Sequence, residues 1–528
     1  FTPDVPSNAL GPMEYNAGKN VETDVRGIRK ILGEEEILSV IPAGQIFMEG
    51  GFRSESNFVY IVATRDSSSH GKWYMVTTAG VTNITPGVGS NPNVYLTGYI
   101  ADLNITTSWV GNVFFINDTL NNPMYFLPTA TEIAFFTDAA WNYDVGVTKT
   151  TAGFVRNFCS PNVGNVLVAG NLTKVSGGIT TNYPTTVRWS QAFANTGVPG
   201  TWEPTITNVA NEQEVPVRGP VIDGFPLNGN FYALSYWDCV QFSPIAYTAT
   251  NAPVFGILLN TQGRGLINEN CWCIVDNMAY GVDARDIWQF DGGKFTPIGD
   301  QRVKNYFYQN LNPTYSNLTF LVNNTEKNQL EIYYPDLTST GHCNKMLAYR
   351  YDLDVFQPPR DVSAAVHGVE TPIWSGNTYN EATRTVVYSQ GNTPNSCLVQ
   401  KDQGTSWANS SAITSNFRRD NVKLLNDYSG KMLVHRILPE VVNLDDKGIP
   451  VYPSTGNISV RVEGAMSVGN AATYATTFTM PIATDYPWTQ INQNESRVST
   501  IELGNTSATD IWMCSAATWQ ISKVEDDK

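Results

Sequence analysis

The 528-residue sequence contains little charge, since Asp, Glu, Lys and Arg together make up only 15% of it. The imbalance is acidic: 33 basic and 48 acidic residues give a formal net charge of −15. An acidic chain repels phosphate backbones and does not bind them through counterion release. The composition therefore argues against a protein that holds nucleic acid, but not against one through which DNA passes.

Long apolar runs are also missing. No stretch reaches about 18 consecutive apolar residues, so we expect no membrane helix and no stable membrane insertion. The opening FTPDVPSNALGPMEY lacks the basic start and apolar core of a signal peptide. The cysteines are odd in number and include no CxxC pair, which predicts reduced and mostly buried thiols. They are Cys159, Cys239, Cys271, Cys273, Cys343, Cys397 and Cys514.

Residue patterns typical of metal sites and active sites are equally scarce. The four histidines, His70, His342, His367 and His435, include no two at metal-ligand spacing. No GxSxG, HExxH, P-loop or GxGxxG motif is present. We therefore expect no catalytic, cofactor-binding or metal-binding residues, no cofactor, and a protein that is not an enzyme.

Three weaker signals have structural interpretations. The pairs Asp352/Asp354 and Asp445/Asp446 lack the oxygen-rich loop spacing of calcium sites and predict solvated turns. Cys271 and Cys273 share one face of a strand, which favours a place in the core. Ten Asn-x-Ser/Thr sequons are expected by chance in a chain so rich in these residues. Among them are Asn83, Asn104, Asn171 and Asn317.

One segment approaches a known motif. Residues 400–407 read QKDQGTSW and resemble the Asp-box of sialidases, S-x-D-x-G-x-T-W, with Asp402, Gly404, Ser406 and Trp407 in matching places. In that box the Asp and Gly close a hairpin and carry no catalysis. Arginine is sparse in this chain, and the arginine cluster of a sialidase cannot be assembled. The segment therefore predicts a structural hairpin.

The sequence does contain short runs in which apolar and polar residues alternate, and these runs recur along the chain. Aromatic residues reach 12%, and turn residues separate runs such as NFVYIVATRD and GKWYMVTTAGVTNIT. Such runs are the signature of strands. Units of three or four strands recur at roughly 50–60 residues, a spacing typical of propeller blades. The pattern predicts an all-β fold with a six-bladed β-propeller; a pair of large β-sandwiches is the main alternative.

The distribution of these runs also predicts domain boundaries. Residues 1–50 are expected to form an N-terminal extended arm, residues 51–415 the β-propeller, and residues 416–528 a C-terminal β-sandwich. Within the arm, residues 20–38 could hold a short helix or two strands. The best helix candidate is the segment 300–311, with Asp300 as a cap and Val303, Phe307 and Leu311 on one face.

Several segments together resemble one protein family. The opening PDVPSNALGPMEYNAGKNVETDVRGIRKILG is similar to the N-terminal "DVP-NAL-P" and "N-R-G-(I/V)-K" stretches of tail proteins from short-tailed, podovirus-type bacteriophages. A strand pair of these proteins is similar to LNGNFYALSYWDCVQFSP. Their following strand pair, with its helix, resembles ARDIWQFDGGKFTPIGDQRVKNYFYQNL. NQLEIYYPD with NKMLAYRYDLDVFQPPRD resembles a later unit, although Phe356 stands where the family commonly has Trp. The resemblance covers nearly the whole chain and points to the tail nozzle, or tail tubular protein B, family.

The resemblance implies a structural protein of the virion. It implies a homo-oligomeric ring, a hexamer, at the distal end of the phage tail, assembled in the bacterial host cytoplasm. The implied partners are the tail adaptor ring and tail fibres or spikes. Double-stranded viral DNA would pass through the lumen without specific binding. The alternative is a phage tailspike or a glycan-binding or glycosidase-like propeller that recognises host polysaccharide.

Overall fold

The computed structural model describes most of the chain, and nearly all of its regular structure is strand. The described residues are 1–10, 14–24, 26–38, 42–245, 255–260, 262–299, 303–375, 378–391, 397–424, 430–452, 454–468, 471–482, 488–491 and 495–524. The α-helices within these ranges are short: α1 spans Asp138–Trp141 and α2 spans Lys304–Asn310. In the described part of the chain, no helix has the length and apolarity needed to cross a membrane.

The N-terminal region contributes four short strands that pair with distant parts of the chain. They are β1 (Ala17–Lys19), β2 (Val21–Asp24), β3 (Gly27–Lys30) and β4 (Glu34–Ile37). The strands between residues 45 and 297 form five antiparallel sheets, in each of which four strands pair in chain order. We call these sheets blades 1 to 5.

Blades 1 to 3 span residues 45–214. Blade 1 comprises β5 (Gln45–Ser54), β6 (Asn57–Arg65), β7 (His70–Thr77) and β8 (Gly80–Asn83), with β9 (Leu96–Thr97) beside β7. Blade 2 comprises β10 (Thr106–Val110), β11 (Val113–Asn117), β12 (Met124–Phe126) and β13 (Ala134–Phe135). Blade 3 comprises β14 (Val147–Ser160), β15 (Gly164–Ser176), β16 (Ile179–Trp189) and β17 (Asn211–Glu214).

Blades 4 and 5 are compact. They are β18 (Val221–Leu227), β19 (Asn230–Ser235), β20 (Cys239–Pro244) and β21 (Phe255–Asn260); and β22 (Trp272–Val275), β23 (Met278–Val282), β24 (Ile287–Phe290) and β25 (Phe295–Pro297).

The next sheet has eight strands and contains two blades joined through β28 and β30. Blade 6 comprises β26 (Phe320–Asn324), β27 (Gln329–Tyr334), β28 (Cys343–Arg350) and β29 (Val355–Phe356). Blade 7 comprises β30 (Arg360–Ser375), β31 (Thr378–Gln390), β32 (Leu398–Lys401) and the N-terminal strand β4, which pairs with β32 through Glu36 and Val399. One strand from the start of the chain thus completes the last blade and closes the ring.

Apolar side chains fix the number of blades. Among the described residues, seven buried clusters each fill the space between two neighbouring blades, including the pair formed by blades 7 and 1. The last cluster brings Ile37 and Trp374 against Met48 and Tyr60. The all-β class and the propeller plan predicted from the sequence are confirmed, whereas the predicted count of six is not. A uniform spacing undercounts because blades 2 and 5 are short and because β4 comes from outside the repeats.

The remaining strands form a β-sandwich that also includes β1 to β3. They are β33 (Ile413–Val422), β34 (Met432–Leu444), β35 (Pro450–Val451), β36 (Asn457–Ala465), β37 (Tyr474–Pro481), β38 (Thr489–Gln490), β39 (Glu495–Ser496), β40 (Val498–Ser507) and β41 (Ile511–Lys523). One sheet has the order β1-β33-β40-β36-β37 and the other β2-β3-β41-β34-β35. Buried side chains such as Val460, Leu503 and Trp512 fill the space between the sheets.

These pairings correct the predicted extended arm over residues 1–50. β1 lies beside β33 and β3 beside β41, while β4 belongs to blade 7 and β5 begins blade 1. The partners of β1, β3 and β4 in these sheets lie hundreds of residues away, so no local pattern could reveal them. The predicted helix is present as α2, but shorter than expected; Asp300 lies outside the described residues, and Val303 occupies the N-cap position.

Candidate functional site: the propeller axis and the buried ion network

Arg156 links several blades near the propeller axis. It lies on β14 of blade 3, and its Nε and Nη2 donate to the two carboxylate oxygens of Asp223 on blade 4, at 2.8 and 2.6 Å. Nη1 donates to the carbonyl oxygen of Thr107 on blade 2 and Nη2 to Oδ1 of Asn270 before blade 5, both at 2.8 Å. A planar guanidinium is suited to this role because it has five donors in a fixed geometry. One side chain thus links four blades.

Trp272 and Asn270 complete this axial cluster. The Trp272 indole nitrogen donates to Asp223 at 2.7 Å, and the Arg156 guanidinium lies 5.2 Å from the centre of the indole ring. The Asn270 amide donates to the carbonyl oxygen of Ile105 at 2.9 Å. Side chains and backbone groups from blades 2, 3 and 4 and from the segment before blade 5 thus meet in one hydrogen-bonded cluster.

A cavity of about 450 Å³ and another of about 390 Å³ open near the axis. Glu49, Trp272 and His367 line the smaller one. Glu49 accepts from the Thr107 hydroxyl at 3.2 Å and from the Gly50 N–H at 3.1 Å, and burial raises its pKa to about 7. His367 donates from Nδ1 to the carbonyl oxygen of Met48 at 2.7 Å, and burial lowers its pKa to about 4. His367 is therefore a neutral, packed side chain at neutral pH.

The four histidines stay apart in the structure. His70 contacts Asp66 at 3.0 Å in a turn and stacks on Tyr95, while His435 shares a hydrogen bond of 2.7 Å with the Ser522 hydroxyl. Across the described ranges, no group of three or more His, Cys, Asp or Glu side chains is placed to hold a metal ion.

The acidic pairs occupy turns. Asp352 pairs with Arg350 at 2.6 Å, and Asp354, with φ of 52°, accepts from the Tyr349 hydroxyl at 2.8 Å. Asp445 accepts from the N–H groups of Lys447 and Ile449. The two hydrogen bonds of Asp445 fix the backbone geometry of its turn.

Cys271 and Cys273 lie in one apolar core between blades 5 and 6, and no disulfide bond joins any of the seven cysteines. Cys271 is fully buried and Cys273 packs at the edge of the same core. Burial raises the pKa of both thiols, so they remain protonated and unreactive at neutral pH.

The segment that resembles an Asp-box meets the N-terminal region. The Gly33 N–H donates to the carbonyl oxygen of Gly404 at 2.9 Å, and the Glu34 N–H donates to that of Ser406 at 2.8 Å. Asp402 accepts from Lys327 at 2.9 Å and from Arg360 at 2.8 Å. These cations hold the pKa of Asp402 far below its usual range. The carboxylate is engaged in structural ion pairs, which leaves it unsuited to proton transfer.

Asp402 belongs to an ion network that joins three parts of the fold. Lys327, in the turn between β26 and β27, also pairs with Glu22 of β2 at 2.8 Å, and Glu22 pairs with Arg29 of β3 at the same distance. Next to it, Lys401 and Glu331 form a completely buried pair. The Tyr333 hydroxyl donates to Glu331 at 2.6 Å, and Lys401 lowers the pKa of Glu331. The network ties β2 and β3 of the sandwich to blades 6 and 7.

Comparisons with known proteins add little. No protein-family model and no curated protein matches the chain. A crystal structure of BBS1N in complex with ARL6DN, soaked with lead, is similar over 71% of this chain and 97% of that chain, with 7% identity and a TM-score of 0.36. A likeness at that level supports no conclusion about what this chain does.

Sequence reasoning missed both the axial cluster and the ion network. Arg156, Asp223 and Asn270 stand in different blades, and each looks like an ordinary polar residue in its own segment. A basic residue within an apolar strand, as in FVRNF around Arg156, is the one local signal of a buried partner.

Proposed function

We propose that this protein is a structural component of a short phage tail, a nozzle subunit that forms a ring and gates the ejection of the genome. The sequence resemblance is the basis of the proposal. One observation in the fold supports it: three of the segments that carry the resemblance, although hundreds of residues apart, contribute to one core. Tyr15 lies there with Ile287, Phe307 and Phe356.

A capping contact joins two of these segments directly. The carboxylate of Asp4, in the DVP stretch, accepts from the N–H groups of Asn305 and Tyr306 at 2.9 and 3.1 Å. These are the exposed donors of the first turn of α2, the helix that follows the GKFTPIG segment. The opening segment therefore contacts the segment that contains α2 directly.

The axial cluster places a constraint on the proposed mechanism. Because Arg156 cross-links blades near the axis of each propeller, the proposed path of the DNA is the central opening of the ring between copies. The net charge of −15 favours passage without sticking, since carboxylates repel phosphates. In the proposed ring, the propellers form the rigid wall around this opening.

Ring formation tests this proposal. The full-length chain, alone and mixed with the tail adaptor ring, is examined by light scattering and negative-stain electron microscopy. We expect ring-shaped particles, six-fold in class averages, that do not shift labelled duplex DNA in a gel at low salt. Monomers under every condition, including with the adaptor, would contradict the proposal, and so would tight retention of DNA.

A further inference from the structure

The last strand of the sandwich has a long edge that no described strand covers. β3 pairs with β41 only as far as Cys514, and a β-bulge follows at Ser515. Over residues 516–522, β41 pairs with β34 on one side and with no described strand on the other. Edge strands are usually kept short or protected by charged residues and proline, because their free N–H and C=O groups attract further strands. This edge reads AATWQIS and has neither a charged residue nor a proline.

A groove of about 860 Å³ lies beside this edge, and we call it the edge groove. Ala517 and Trp519 of β41 line it on one side, and both pack against the core of the sandwich. Ile28 of β3 and Phe417 of β33 line it as well. Side chains alternate between the two faces of a strand, so a strand added to β41 places every second side chain in the edge groove. The edge and the groove together can therefore seat one extended segment.

Blade 3 has a second uncovered strand edge, at the end of the hairpin formed by β15 and β16. The turn of this hairpin is Gly177-Gly178, with positive φ at both residues, and residues 176–184 are all exposed. β17 pairs with β16 only from Thr186 onward, so the outer edge of β16 has no described partner over residues 179–183. We call this end of the hairpin the blade 3 arm. Its edge strand is available to pair with a strand of another molecule.

The blade 3 arm carries two exposed apolar side chains at a spacing that suits the edge groove. Ile179 is 71% exposed and Tyr183 is 39% exposed. They are four residues apart in one strand, so they lie on the same face, roughly 13 Å from each other. Ala517 and Ile521 of β41 have the same spacing and also share a face, since both pack against the sandwich core. A strand that pairs with β41 thus brings both apolar side chains of the arm to the groove.

Charge also favours a second copy of this chain as the source of the strand. Two copies with a net charge of −15 repel each other, so they are expected to meet where acidic groups are absent or balanced. Residues 175–184 of the arm include no charged residue. The edge groove is lined by equal numbers of acidic and basic residues, namely Glu14, Asp24, Asp420, Arg26, Arg419 and Lys423.

We propose that the blade 3 arm of one copy pairs its β16 edge with the β41 edge of a second copy and inserts Ile179 and Tyr183 into the edge groove. The contact joins two different surfaces, so it is head-to-tail and can repeat around a closed ring. It names the surfaces between copies in the ring and in this respect rests on the proposed function. The added strand gives the free backbone groups of both edges their hydrogen-bond partners.

A charge at the tip of the arm tests the contact. We expect Ile179→Asp to lower the fraction of ring particles at least tenfold, in light scattering and negative-stain electron microscopy with the adaptor present, because a carboxylate is costly in an apolar groove. Its melting temperature as a monomer should equal that of the parent, since Ile179 is exposed in a single copy. Leu337→Asp, at a position that is 61% exposed after β27, is the matched control and should assemble as the parent does.

Cross-linking between two differently labelled copies tests the pairing itself. Thr180→Cys and Thr518→Cys place thiols on exposed positions of the two edges, and a Cys159→Ser background removes the exposed native thiol. A short bismaleimide should give cross-linked dimers when the two variants are mixed and none with either variant alone. Thr180→Cys mixed with Leu337→Cys should give none.

The outcomes separate this inference from the proposed function. If the parent forms rings and Ile179→Asp forms them as readily, or if the Thr180→Cys and Thr518→Cys mixture does not cross-link, the inference is overturned and the nozzle proposal stands. Another protein or another surface then covers the β41 edge. A parent that stays monomeric under every condition and shows no cross-link contradicts both.

Discussion

Single buried side chains inside the propeller have protonation equilibria far from those in water. Burial raises the pKa of Glu49 to about 7 and lowers that of His367 to about 4. Both shifts favour the neutral form because desolvation penalises charge. The axis therefore combines one paired charge couple, Arg156 with Asp223, and side chains whose charged forms are disfavoured.

Glu49 makes the stability of the protein depend on pH. A carboxyl group whose pKa is raised on folding contributes its full share of stability below its unfolded pKa, near 4.5, and loses it as the pH rises through about 7. We expect Glu49→Gln to be more stable than the parent by about 1–3 kcal/mol at about pH 8 and equal to it near pH 4. Urea titrations at both pH values measure this. Glu55→Gln, on an exposed turn, is the control; the same stability difference at both pH values would disprove the assignment.

At the scale of elements, short structures depend on contacts from elsewhere in the chain. α2 has seven residues, Val303 at its N-cap offers no side-chain hydrogen bond, and the cap comes from Asp4 instead. β4 has four residues and is stable only as the outer strand of blade 7. Isolated helices and strands of this length are not stable in water, so tertiary packing must stabilise both elements.

Removal of the Asp4 carboxylate tests whether it caps α2. We expect Asp4→Ala to lower the free energy of unfolding by about 1 kcal/mol, since it leaves two helix donors without their acceptor. Hydrogen exchange of the amides of Asn305 and Tyr306 should become faster. Asp446→Ala removes the same charge from an exposed turn and should change neither quantity. Unchanged protection of α2 in Asp4→Ala would show that the cap is not needed.

At the scale of the whole molecule, the N-terminal strands unite the propeller and the sandwich. β1 to β3 complete both sandwich sheets, β4 completes the last blade, and the network around Lys327 joins them. Removing one partner of a buried ion pair is costly because the other charge stays uncompensated. We therefore expect the two parts to unfold together.

Calorimetry of Lys327→Met tests this coupling. The parent protein should unfold in one transition, and the variant in two, with a loss of stability near the low end of about 3–5 kcal/mol because Glu22 and Asp402 lose their shared cation. Lys149→Met, on an exposed part of β14, should unfold as the parent does. One transition at the parent temperature in Lys327→Met would disprove the role of the network.

Local features of the sequence determined the all-β class. Alternation in segments such as NFVYIVATRD sets the face on which each residue lies, and tight turns such as Asp291-Gly292 set where strands end, so strands could be predicted where they form. Only the tertiary structure decided the seventh blade, the division of residues 1–50 among four sheets and the Arg156–Asp223 pair. Each of these depends on partners far apart in the chain, and a buried group acquires its hydrogen bonds, or lacks them, only when the blades close into a ring.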